Sequence, residues 1–87
     1  MNNVFLVVRG ILQSLIKSAR ETLADGEKIS GKWVKDDKQK VTSLCNEKTA
    51  WLELNREASL SSIEDQVTNF QERYQPHLDK LNPTNTE

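Results

Sequence analysis

The chain has 87 residues and a mass of 10.0 kDa, room for one small domain and too little for two independent folds or a sizeable enzyme. Leu, Ile, Val and Phe make up about a quarter of it, above the ~20% level that marks disorder, although the mean hydropathy of −0.68 is hydrophilic. Twelve basic and thirteen acidic residues leave a net charge of −1, so neither the basic footprint of a nucleic-acid binder nor the polybasic cluster drawn to anionic membranes is present.

Ile11, Leu12, Leu15, Ile16, Ala19 and Leu23 recur at three- and four-residue steps, which places one apolar stripe on a first helix. Its start falls between residues 3 and 11 and its end between 25 and 30, with Asp25-Gly26 and Gly31 as stop signals. A second helix opens at Asp36-Asp37, where carboxylates suit the unpaired amides of a helix start. Val41, Leu44, Cys45, Trp51, Leu52 and Leu54 give its apolar positions, and Lys48 among them is expected to lie along the core and snorkel outward. Residues 55–59 form a polar connection. Ser61-Ser62-Ile63-Glu64 fits a capping box, and Ile63, Val67, Phe70 and Tyr74 follow at helical steps. Pro76 has no amide and disfavours helix at Gln75, so this third helix should end or kink there. A short fourth helix from Pro76 then carries Leu78 and Leu81.

No alternating strand pattern competes, so the expected fold is all-α: a small antiparallel bundle of three main helices plus a short C-terminal fourth. Residues 1–87 read as one helical domain, with 82–87 as a flexible tail. The expected core comprises Leu12, Leu15, Ile16, Val41, Cys45, Trp51, Leu52, Ile63, Val67, Phe70 and Leu78. Val4, Phe5, Val7 and Val8 either extend the first helix into that core or serve as a self-association surface.

Catalytic chemistry has little to stand on. Cys45 lies in an amphipathic pattern, where a cysteine is usually a small inert hydrophobe. His77 reads as a surface or boundary residue, and one Cys with one His makes no zinc site. The three glycines form no phosphate loop. Trp33 among Lys32, Lys35, Lys38 and Lys40 reads as a solvated turn rather than a stacking platform for single strands. The apolar run Val4–Val8 is far below the ~20 residues of a membrane span, and an N-terminal region without Lys or Arg before Arg9-Gly10 is unlike a signal peptide. A single cysteine fits a reducing compartment. These features suggest a non-enzymatic, soluble, cytoplasmic protein with no bound metal, no cofactor and no nucleic-acid or membrane partner.

The words Gly31-Lys32, Asp37-Lys38-Gln39-Lys40, Cys45-Asn46-Glu47, Trp51-Leu52 and Asn55, continuing through Ala58, Glu64, Gln66, Pro76 and Lys80-Leu81, resemble the C-terminal helical lid of the seventy-kilodalton heat-shock chaperone family, of eukaryotic cytosolic type. That resemblance covers roughly residues 19–81 and makes 11–81 a lid-like bundle. It implies a module that influences closure over bound unfolded polypeptide. Its partners would be the peptide-binding and nucleotide-binding domains of a chaperone chain, and ATP would enter only through the latter. The family's terminal Glu-Glu-Val-Asp is missing, since the chain ends Thr84-Asn85-Thr86-Glu87. The resemblance therefore does not extend to docking of tetratricopeptide co-chaperones. The alternative from the residues alone is a stand-alone helical adaptor or self-associating interaction module, including a homodimer through apolar helix faces.

Overall fold

A computed structural model describes residues 4–81 as four helices with no strand among the described residues. The expected tail, 82–87, lies outside them. Helix α1 spans Val4–Ala24, α2 Gly26–Ile29, α3 Lys35–Leu54 and α4 Leu60–Leu81. The class is all-α, with three long helices and one short one, but the short helix is α2 rather than a C-terminal fourth.

The helix ends follow from local chemistry. Asp25 closes the gap between α1 and α2: its amide reaches the Glu21 and Thr22 carbonyls, and its side chain accepts from the Lys28 amide. After α2 the chain turns back through Gly31 at φ +75°, a left-handed conformation that costs an L-residue about 1–2 kcal/mol. Helix α3 opens at Val34, whose amide donates to Asp37 Oδ2 at 3.0 Å; the carboxylate three residues in supplies the bond that the valine side chain lacks. Helix α4 begins earlier than the Ser61–Glu64 box suggests. Ser59 Oγ accepts from the Ser62 amide at 3.2 Å, so Ser59 is the cap and Glu64 is left exposed on the first turns.

Helix α4 runs through Pro76, against the expectation of a break at Gln75. Pro76 and Glu72 are both exposed, so the Glu72 carbonyl that loses its amide partner can turn to water.

Side-chain contacts give the topology. Arg9 reaches the Leu52 and Asn55 carbonyls, while Arg20 reaches Asn46 and Thr49, so α1 and α3 are antiparallel. Lys48 meets Gln66 and Asn69, while Asp37 meets His77 and Lys80, so α3 and α4 are antiparallel and α1 and α4 are parallel. The shared core holds Leu12, Ile16, Ala19, Ile29, Trp33, Val41, Leu44, Cys45, Leu52, Phe70 and Tyr74, with Leu15, Leu23, Trp51, Val67 and Leu81 partly buried against it; Ile63 is also buried. Leu78 departs from its expected core position and is 36% exposed, because α4 continues past Pro76 instead of starting a separate helix there. Ile29 and Trp33 enter the core from what reads in sequence as a solvated turn.

Candidate interaction surface

Three places concentrate chemistry. The first is a polar cluster where α3 starts and α4 ends. The buried Asp37 carboxylate accepts from Lys80 Nζ at 2.9 Å on both oxygens, contacts His77 Nδ1 at 2.7 Å, and takes the Val34 amide at 3.0 Å. The Lys80 hydrogen bond, joined by those from Val34 and His77, outweighs burial and lowers its pKa from 3.8 to about 2. Trp33 Nε1 donates to the His77 carbonyl at 2.7 Å, and its ring meets those of Tyr74 and His77 edge-on at 6.3 and 6.0 Å. Of the two settings the sequence suggested, surface or boundary, His77 takes the second: it is half-buried and engaged.

The second place is Lys48, which is 2% exposed and does not snorkel. Its ammonium donates to Gln66 Oε1 and Asn69 Oδ1, both at 2.7 Å, and lies 3.3 Å from Glu47. Glu47 in turn pairs with Arg73 at 2.8 Å, which holds its carboxyl below the usual range. Two neutral amide oxygens and a carboxylate thus replace water around the buried charge. Neither Gln66 nor Asn69 belongs to an apolar pattern, so periodicity gives no sign of this contact.

The third place is the N-terminal end of α1. At 100° per residue, Phe5, Leu12, Ile16 and Ala19 share the core face, Val4, Val7 and Ile11 form a neighbouring stripe, and Leu6 lies on the far flank. Val4 is 42%, Leu6 65%, Val7 58% and Ile11 44% exposed, while Phe5 and Val8 are half-buried. Beside the stripe, Val8, Ile11 and Val67 line a groove of about 500 Å³ between α1 and α4 whose other edge carries Glu64, Asp65 and Thr68. A second groove of about 550 Å³ lies between α1 and α3, with Phe5, Leu6, Ile16 and Leu52 among its walls and Arg9, Glu53 and Arg56 around them.

Cys45 is fully buried in the core, and burial pushes its thiol up despite the pull of Arg20. Among the described residues no group of three or more His, Cys, Asp or Glu side chains is placed to hold a metal ion. None of the described helices is long and apolar enough to cross a membrane.

The chain is similar to proteins named ankyrin repeat domain-containing protein 45. The mouse protein is 36% identical over 73 residues, covering 84% of this chain and 29% of its own length. The human protein is 33% identical over 70 residues (80% and 26%), and the zebrafish protein 34% over 71 (82% and 32%). These relatives overturn the chaperone reading. The resemblance to a heat-shock lid, the closure function drawn from it, and its chaperone-chain partners with their ATP and co-chaperones are corrected accordingly. The shared words fall at helix caps, polar helix faces and core positions, which many unrelated bundles require alike. No protein-family profile and no solved structure matches the chain.

The chain spans about a third or less of the length of these relatives. An ankyrin repeat is a unit of about 33 residues with a turn and two helices, marked by Thr-Pro-Leu-His. This sequence lacks that word, and its long helices of 20 to 22 residues pack lengthwise rather than as stacked short pairs.

Proposed function

We propose that this chain is a helical protein-interaction module that docks a partner helix along the α1/α4 edge, the partner having an apolar face flanked by Lys or Arg. The observation that carries this reading is the stripe of Val4, Val7 and Ile11, exposed beside a groove whose far edge is acidic. Helix-in-groove recognition needs an apolar track of this kind. Glu64 and Asp65 form no ion pair among the described residues, so their charge remains available to a basic flank. Similarity to proteins named for a repeat commonly used in protein binding fits an interaction role. The module binds and does not catalyse, and the inaccessibility of the Cys45 thiol supports that. A reducing compartment such as the cytoplasm suits a lone buried cysteine.

The test is a titration of isotope-labelled protein, followed by NMR, with two synthetic helical peptides that share a leucine face and differ only in lysine or glutamate flanks. The lysine peptide should saturate, shifting amides of residues 4–11 and 64–68, and should bind about five- to tenfold tighter than the glutamate peptide, as two rim charge pairs allow. Glu64→Lys with Asp65→Lys should reverse the order. Absence of saturation, or equal affinity for the two peptides, sinks the reading.

Leu6 supports a second reading. It is the most exposed of these α1 residues and also lines the α1/α3 groove with Phe5, so one segment supplies both ridge and wall, as an isologous pair of copies requires. Sedimentation equilibrium should then show a dimer that Leu6→Asp abolishes; a monomer at millimolar concentration removes this reading.

A further inference from the structure

We propose that residues 76–81 form a strap, hinged at Pro76 and closed over Trp33 by Asp37, that opens while the rest of the bundle stays folded. The hinge is covalent in origin. Pro76 has no amide to donate to the Glu72 carbonyl, so the hydrogen-bond ladder of α4 is interrupted where the strap begins.

What holds the strap is mostly polar. Leu78 is exposed and Leu81 half-buried, so apolar burial beyond the hinge is slight. Against this stand two Lys80 contacts and one His77 contact to a single carboxylate, the Trp33 indole bond to the His77 carbonyl, and an exposed Gln75–Asp79 bond across the hinge. Charge-assisted bonds are stronger than neutral ones, but they depend on one group, Asp37.

What the strap covers is apolar. Trp33 is 4% exposed and stacked edge-on between His77 and Tyr74. The groove beside the hinge, about 670 Å³, is walled by Pro76 and His77 on one side and by Leu44 with the polar Asp36, Gln39, Lys40 and Ser43 on the other. Release of residues 76–81 takes His77 off Trp33 and removes one wall of this groove. The result is an indole edge that is covered in the latched state and exposed in the open one. Apart from Trp33, the core side chains it leaves in place belong to α1, to α2, to α3 and to α4 before residue 76.

The test compares wild type, Asp37→Asn and Lys80→Met in a Trp51→Phe background, where Trp33 is the sole indole. Amide hydrogen exchange and acrylamide quenching are the readouts. Loss of the charged bonds should speed exchange of amides 78–81 by about 10- to 100-fold, with little dependence on low urea, and make Trp33 accessible to quencher. Amides 41–52 and 63–74 should keep the steep urea dependence of global unfolding and speed up by no more than the loss of stability in urea. Pro76→Ala added to Asp37→Asn should restore protection of 78–81, because the helix ladder is then continuous. Unchanged exchange in both variants overturns the strap, as does a urea dependence for amides 78–81 as steep as that of the core amides. Failure of Pro76→Ala to restore protection overturns the hinge. Lys80 is half exposed, so its replacement by Met keeps the test available should Asp37→Asn unfold the chain.

Discussion

At Asp37 a single carboxylate decides how acid acts on the fold. Its pKa is about 2 in the folded chain against 3.8 ordinarily. A depressed acid stabilises the fold above its unfolded pKa, and that contribution is lost as pH falls from 3.8 towards 2. The full shift corresponds to about 2.5 kcal/mol, but the Lys80 partner stands half in water, so screening brings it nearer ~1–2 kcal/mol. The stability gap between wild type and Asp37→Asn in urea should therefore be that size at pH 7 and shrink towards zero at pH 2. Tyr74 makes the opposite case. Among the described residues its hydroxyl is buried without a hydrogen-bond partner, and burial pushes the phenol up. Thr22 donates its own proton to the Ser18 carbonyl; its hydroxyl acts to lower the phenol but stands outside hydrogen-bond geometry with Tyr74. An unmet buried hydroxyl costs about 1–3 kcal/mol, so Tyr74→Phe should raise the melting temperature by several degrees. A lower melting temperature would show that the hydroxyl has a partner in solution. Lys48 differs again: its stem fills core space while its charge is offset by Gln66, Asn69 and Glu47. Lys48→Met should cost less than ~1 kcal/mol, because packing is kept and desolvation relieved, whereas Lys48→Ala should cost about 2–4 kcal/mol through the void. Equal losses in urea unfolding would place the energy in the charge instead.

At the scale of elements, what could be read from the sequence follows the range of the interaction responsible. The apolar steps of α1 and the carboxylates at the start of α3 are local signals, and both helices lie where those signals put them. The start of α4 is misplaced in sequence because Ser61-Ser62-Ile63-Glu64 carries the capping-box pattern; the bonds made by Ser59 move the cap upstream. Ser59→Ala should cost about 1 kcal/mol, and Ser61→Ala close to nothing, by thermal denaturation. Pro76 misled for a physical reason. A proline penalty of about 3 kcal/mol is local, but the contacts of residues 77 and 80 to Asp37 span 40 and 43 residues and no periodicity encodes them. Trp33 was obscured in the same way: lysines and aspartates surround it in sequence, while its indole partner is the carbonyl of His77.

For the whole molecule, burial separates what supports the bundle from what it presents outward. Phe70 is fully buried, so Phe70→Ala should cost about 3–5 kcal/mol, and Trp51→Ala, at a half-buried site, distinctly less. Val7→Asp should leave stability within about 0.5 kcal/mol, since its side chain faces water, while removing the peptide binding proposed for the α1/α4 edge. Sequence alone determined the helical class, most positions of the apolar stripe, and the buried setting of Cys45, because helix periodicity and composition act over a few residues. Tertiary structure decided that Lys48 is buried, that α4 passes Pro76, that Leu78 faces outward, and that Val4, Val7 and Ile11 stand beside an acidic edge. Each of these depends on which distant side chain arrives to meet charge, amide or methyl, and that is fixed only when the helices pack.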